Sequence, residues 1–186
     1  MKYERGKIVK ATVINHYGSA DALHYGEVEK PSIKPDQMLV KVHATSVNPI
    51  DWKIRKGMLK LLTGSKFPII LGFDLSGEVI EVGDDVTRFK PGDMVYARLD
   101  QATGGAYAEY AAVSARIATH KPTNMSHLEA AVVPLAGMTA LQALRDQGKL
   151  KAGQKVLING ASGGVGTFAV QIAKALGAEV GSIPLG

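Results

Sequence analysis

The spacing of apolar residues changes near Asn124. Before it they fall in short runs separated by Gly, Pro and Asp, and after it they recur at helical intervals. Lys7–Asn15 has the composition of an opening strand, Gly18–Asp21 reads as a turn, and Leu39–Ala44 alternates as a half-buried strand does. Ile69–Val82 reads as strand-like runs punctuated by Gly72 and Gly77, and Gly104–Val113 as a strand opened by a glycine pair. Ser126 and Glu129 stand at capping-box spacing, which predicts a helix over His127–Gln147, interrupted at Pro134. The domain boundary therefore falls in this region, with residues 1–123 forming a β-rich domain and residues 124–186 a second one.

Lys155–Gly177 is the stretch around which the rest is organised. Val156, Leu157 and Ile158 form an unbroken apolar run, which predicts a strand buried on both faces of a parallel sheet. Gly160, Gly163 and Gly166 follow, then Val165, Phe168, Ala169, Ile172, Ala173 and Leu176 at helical intervals, with Gly177 placed as a left-handed cap. A nucleotide pyrophosphate needs close backbone approach, unpaired N–H groups and the positive end of a helix dipole. Ala161, Ser162, Gly163, Gly164, Val165 and Gly166 can supply these. The spacing departs by one residue from G-x-G-x-x-G, so a tight structural turn is the other reading.

Composition narrows the chemistry. With 186 residues, 46% of them hydrophobic and 21% charged, the chain has the makeup of a globular protein. Cysteine is absent, which removes disulfides and thiolate zinc ligands. The net charge of +5 is spread among acids without a dense run, so no nucleic-acid partner is expected. No apolar run approaches a membrane span and no signal-peptide core follows the lysine-rich start, so no membrane partner and a cytoplasmic location are expected. The five histidines, at 16, 24, 43, 120 and 127, lack metal-ligand spacing and read as surface or structural groups. The single tryptophan, Trp52, is expected to pack against the core.

Six segments occur in register: SVNPIDWKIRKG from Ser46, FPIILGFDLSGEVIEVG from Phe67, FKPGDMVYA from Phe89, GGAYAEYAAV from Gly104, PLAGMTALQAL from Pro134 and NGASGGVG from Asn159. Together they resemble the medium-chain dehydrogenase/reductase superfamily, and within it the zinc-independent quinone oxidoreductase, or zeta-crystallin-like, branch. The resemblance implies an α/β architecture: a β-rich GroES-like catalytic domain followed by a Rossmann-type nucleotide-binding domain. It implies hydride transfer from NADPH, favoured over NADH, to a small-molecule quinone or enone, no zinc, and a homo-oligomer. It places Asn48 and Asp51 at the substrate and nicotinamide end as catalytic candidates, with Asn48 and Thr139 also contacting the cofactor. On the residues alone, Asn48 and Asp51 are equally well read as helix caps, and Thr139 as a hydroxyl bonding its own helix.

Two features depart from the resembled pattern. Lys53 and Leu59 stand where relatives place cleft tyrosines, and Phe73 and Asp74 where zinc-dependent relatives place His and Glu. Beyond Val180 no match continues into GSIPLG, so the chain reads as a C-terminally truncated member with an incomplete nucleotide-binding domain. A noncatalytic, self-associating module is the rival reading, because an exposed strand and an uncovered helix face favour association.

Overall fold

A computed structural model describes residues 8–183. Contacts divide the chain into two compact units, with the division between Val132 and Val133.

The first unit is built on strands β1 (Ile8–Ile14), β2 (Leu23–Glu29) and β3 (Gln37–Thr45), helices α1 (Pro49–Arg55) and α2 (Lys60–Thr63), strands β4 (Ile69–Ile70), β5 (Asp74–Val82), β6 (Met94–Arg98), β7 (Tyr110–Ser114) and β8 (Ala118–His120), and helix α3 (His127–Ala131). Antiparallel pairing gives a five-stranded sheet in the order β7-β3-β5-β6-β8 and a three-stranded sheet in the order β2-β1-β4. Met38, Val40, Leu75, Val79, Val95 and Val113 are fully buried at the centre of the larger sheet. Each such side chain contributes roughly 1.5–3 kcal/mol by leaving water.

Three sequence expectations need correction here. Strand β3 is not half-buried throughout, because Met38, Leu39 and Val40 are buried in succession and register shifts occur at Leu39/Val40 and Val42/Ala44. An extra residue at a bulge turns the following side chains and breaks strict alternation. The strand expected from Gly104 begins only at Tyr110. Ala106 and Tyr107 donate their N–H groups to Gly72 and Leu71, while Thr12 donates to Tyr107 and Glu109 to Lys10, so this stretch links the β4–β5 turn to β1. Finally, Trp52 is 40% exposed, with the Lys53 and Lys56 ammonium groups 5.7 and 5.2 Å from its ring. The inward position on α1 is filled by Ile54 instead.

The capping box before α3 forms in both directions: Ser126 Oγ accepts from Glu129 N–H at 3.2 Å, and Glu129 Oε2 accepts from Ser126 N–H at 2.8 Å. Helix α3 packs on β3 and β5. The Lys90–Asp93 turn is held by Asp93 N–H to the Lys90 carbonyl and Lys90 N–H to the Asp93 carboxylate, with Gly92 at φ +92°.

The second unit contains helix α4 (Pro134–Leu141), continuing as a π-helical stretch over Gln142–Gln147, then β9 (Lys155–Asn159), α5 (Gly164–Ala175) and β10 (Glu179–Ile183). Proline at the first position of α4 separates it from α3, as the sequence predicts. Strands β9 and β10 pair in parallel, and β10 extends through Gly181–Ile183 of the unmatched tail; its remaining PLG lies outside the described residues. Ala140, Ile158, Ala169 and Ala173 form the core, backed by Val156, Phe168 and Val180. Burial on both faces of β9 is not found. Val156 and Ile158 face this core, whereas Leu157, on the opposite face, is 67% exposed.

Candidate functional site

In the first unit, β3 ends at Thr45 and the chain turns through Ser46–Asn48 into α1, whose first residue is Pro49. Asn48 N–H donates to Asp51 Oδ2 at 2.7 Å, the side-chain-to-backbone half of a capping box. The other Asp51 oxygen accepts from Gly72 N–H at 3.1 Å. Asp51 is only 2% exposed; burial pushes its carboxyl pKa up, while hydrogen bonds from Asn48, Tyr107 and Gly72 pull it back down. Desolvation first, and then the Asp51 charge, push the Tyr107 phenol far above its ordinary range, so the phenol stays protonated and donates.

The Asn48 side chain is oriented by a second carboxylate. Its Nδ2 donates to Asp74 Oδ2 at 2.9 Å and to Ser46 Oγ at 3.1 Å, and Ser46 Oγ in turn donates to the same Asp74 oxygen at 2.9 Å. Asp74 is fully buried. A carboxyl oxygen accepts, which matches the amide nitrogen lying on the Asp74 side. Both amide protons are thus directed to Asp74 and Ser46, and the Asn48 side chain also takes part in the capping box that opens α1.

Tyr107 closes the knot from above. A Cβ on Gly72, which sits at φ +95°, would stand 2.3 Å from Tyr107 Cδ1, so only glycine lets the ring lie there. Sequence reasoning missed Ser46, Asp74 and Tyr107. Asp74 was read only for a missing metal ligand, and no periodicity links it to Asn48.

In the second unit the glycine turn leads from β9 into α5. Gly160 takes φ +74°, and the N–H groups of Gly160 and Ala161 both donate to the Ile183 carbonyl, at 2.9 and 3.0 Å. These two amides are therefore engaged with β10. The helix ladder starts at Thr167 N–H to Gly163 carbonyl, 2.9 Å, which leaves Gly164, Val165 and Gly166 as the first-turn positions whose amides have no intrahelical partner. A Cβ on Gly166 would meet the Gly160 carbonyl oxygen at 2.1 Å, whereas one on Gly164 would meet nothing within 4 Å. Gly166 is thus fixed by helix-to-turn packing, and Gly164 presents open backbone to a ligand. Ser162 is exposed beside them. This arrangement fits a pyrophosphate.

Thr139 lies exposed on α4, and its hydroxyl donates to the Leu135 carbonyl at 2.7 Å. Its proton is spent on its own helix, and only its oxygen lone pairs remain for a ligand.

Two histidines far apart in sequence also meet. The rings of His43 and His127 stack at 4.6 Å, His127 Nδ1 lies 2.8 Å from Ser76 Oγ, and His43 Nε2 is 3.8 Å from Glu78 Oε2. Among the described residues, no group of three or more His, Cys, Asp or Glu is placed to hold a metal ion. Nor is any described helix long and apolar enough to cross a membrane.

Residues 34–123 match the family described as the alcohol dehydrogenase GroES-like domain. A chloroplastic quinone-oxidoreductase homolog of Spinacia oleracea is 46% identical over 174 residues, covering 90% of this chain and 53% of that protein. The structure of the quinone oxidoreductase from Coxiella burnetii superposes with a TM-score of 0.88 at 40% identity, over 95% of this chain and 56% of the other. The chain belongs to the quinone oxidoreductase branch of the medium-chain dehydrogenase/reductase superfamily. A mitochondrial NAD(P)H oxidoreductase of Homo sapiens is 40% identical over 197 residues, covering 96% of this chain and 50% of that protein. The chain therefore spans about half the length of the curated relatives it matches. Within this superfamily the first unit is the GroES-like domain and the second carries Rossmann-type strand, turn and helix.

Proposed function

We propose that this protein takes part in hydride transfer from a reduced nicotinamide dinucleotide to a small-molecule acceptor, a quinone or an activated carbon–carbon double bond. NADPH is the favoured cofactor and no zinc is required. The observation that carries this reading is the first turn of α5, where Gly164 offers open backbone and Gly166 is excluded from bearing a side chain by the Gly160 carbonyl. The amides of Gly164, Val165 and Gly166 hold the pyrophosphate at the positive end of the helix with the exposed Ser162 beside them. The Ala161 and Gly163 amides, which the sequence also offered, are taken by the Ile183 and Gly160 carbonyls. The bound nicotinamide supplies the hydride.

Asn48 stands at the substrate and nicotinamide end, and Asp74 and Ser46 hold its orientation. Asp51 fixes the start of α1 and Gly72. Because its carboxylate is sealed in and engaged by protein donors, the proton that accompanies the hydride comes from solvent. Thr139 contributes an acceptor oxygen. The test is calorimetric titration of the chain with NADPH and with NADH, followed by an assay of NADPH oxidation with a quinone. Saturable binding that is abolished by Gly163→Asp supports the reading, and its absence from a folded chain overturns it.

A second reading, a noncatalytic self-associating module, is favoured by the exposure of Leu157 on the open face of β9. It requires association without cofactor binding, which the same titration and sedimentation velocity separate.

A further inference from the structure

From Trp52 to Lys66 the chain carries five basic residues, Lys53, Arg55, Lys56, Lys60 and Lys66, and no acidic one. Within this stretch Met58, Leu61 and Leu62 are 62%, 95% and 76% exposed. Their spacing of three and four residues places them on one side of a helical turn at α2.

The segment is pinned from beneath. Ile54 is fully buried. Gly57, at φ +76°, seats against the Tyr17 ring, and the Tyr17 hydroxyl bonds Thr63 Oγ1 at 2.9 Å and the Gly64 carbonyl. Arg55 Nη1 donates to the Gly18 carbonyl at 2.8 Å, and Phe67 meets Tyr17 edge-on at 5.1 Å between centroids. The fold thus spends an aromatic anchor and several hydrogen bonds on presenting leucines outward. Exposed leucines in a stretch with several exposed lysines and a half-exposed tryptophan suit the boundary between lipid headgroups and acyl chains.

We infer that the α1–α2 segment is a docking surface for an anionic lipid bilayer, with Met58, Leu61 and Leu62 inserting and the lysines meeting headgroup phosphates. Such attachment is at the surface and needs no membrane-spanning helix. A second copy of the chain does not fit the same segment, because its exposed lysines, Lys53, Lys56, Lys60 and Lys66, would oppose their own counterparts. A nucleic acid leaves the leucines without a partner.

The single tryptophan makes the test direct, since Trp52 lies in α1 of the same segment and is 40% exposed. The purified chain is titrated with vesicles of phosphatidylcholine containing about one-third phosphatidylglycerol, and with phosphatidylcholine alone, following Trp52 emission and co-sedimentation. Binding with a blue shift is expected only for the anionic vesicles, weakening as salt is raised. Leu61→Ser with Leu62→Ser is expected to lower affinity at least about ten-fold. Lys56→Gln with Lys60→Gln is expected to lower it about five-fold per charge removed. These side chains are exposed, so circular dichroism should show both variants folded. The inference is overturned if the chain ignores anionic vesicles at low salt, if the leucine variant binds them undiminished, or if polyglutamate or duplex DNA binds as tightly with the same dependence on the leucines. NADPH titration of the same variants reads the oxidoreductase proposal separately.

Discussion

At the scale of single residues, the knot at the start of α1 turns on where protons are placed. Asn48→Ala leaves Asp74 with one fewer donor in a fully buried position and is expected to cost about 1–3 kcal/mol, read as a lower urea midpoint. Asn48→Asp sets a second carboxylate against Asp74 Oδ2. Two such groups cannot both ionise there, so the folded pKa of one is raised, and stability held at low pH is lost as pH rises through it. The variant should therefore lose urea midpoint between pH 5 and pH 8 by more than the parent does. Gly72→Ala is expected to be more damaging than Tyr107→Phe. The first drives a Cβ to 2.3 Å from a ring carbon at positive φ, and the second removes only a hydroxyl bond of 3.4 Å to Ser46 together with its interaction with Asp51.

At the scale of elements, α3 is held on the large sheet by a short helix, a cap and a histidine. Ser126→Ala removes one half of the capping box and is expected to cost about 1 kcal/mol in denaturant unfolding. His127 faces His43 from β3, Glu78 and Ser76 from β5 and Lys121 from the chain leading into the helix. Burial lowers its pKa below the usual 6.5, His43 and Lys121 lower it further, and Glu78 opposes them. A depressed folded pKa contributes stability above the unfolded value and loses it as pH falls. Thermal midpoints are thus expected to drop below about pH 6.5 in the parent and to drop less in His127→Gln. In the second unit, Gly166→Ala is expected to disturb the turn itself, because the atom it meets is a backbone carbonyl that cannot rotate away. Gly164→Ala leaves that packing intact, so any loss of NADPH binding it causes reports on the ligand-facing backbone.

At the scale of the whole molecule, apolar surface remains open in each unit for different reasons. In the second, among the described residues, β9 and β10 pair only with each other and Leu157 lies on a face with no core cluster behind it. Such a strand favours pairing with another copy. The chain is expected to self-associate as concentration rises, and Leu157→Lys to shift sedimentation velocity profiles toward monomer. In the first, the apolar patch lies in a stretch rich in exposed lysines, which disfavours association between copies and favours an anionic surface. The two patches should therefore respond oppositely to salt: self-association through Leu157 is maintained at high salt, while vesicle binding is lost.

The local features of the sequence determined a good deal by themselves. Proline at 49 and 134, the Ser126–Glu129 box, the Lys90–Asp93 turn and the strand–glycine–helix order from Lys155 all follow from short-range rules, because each depends on neighbours a few residues away. The motifs in register carried the superfamily. Tertiary structure alone decided the rest. It brought Asp74 to Asn48 across 26 residues, stacked His43 on His127, and set Tyr107 over Gly72. It also turned Trp52 outward and left Leu157 uncovered, against the hydrophobicity of both residues. Burial and hydrogen-bond partnership are properties of what the fold brings near a side chain. Composition and periodicity record only what the side chain is.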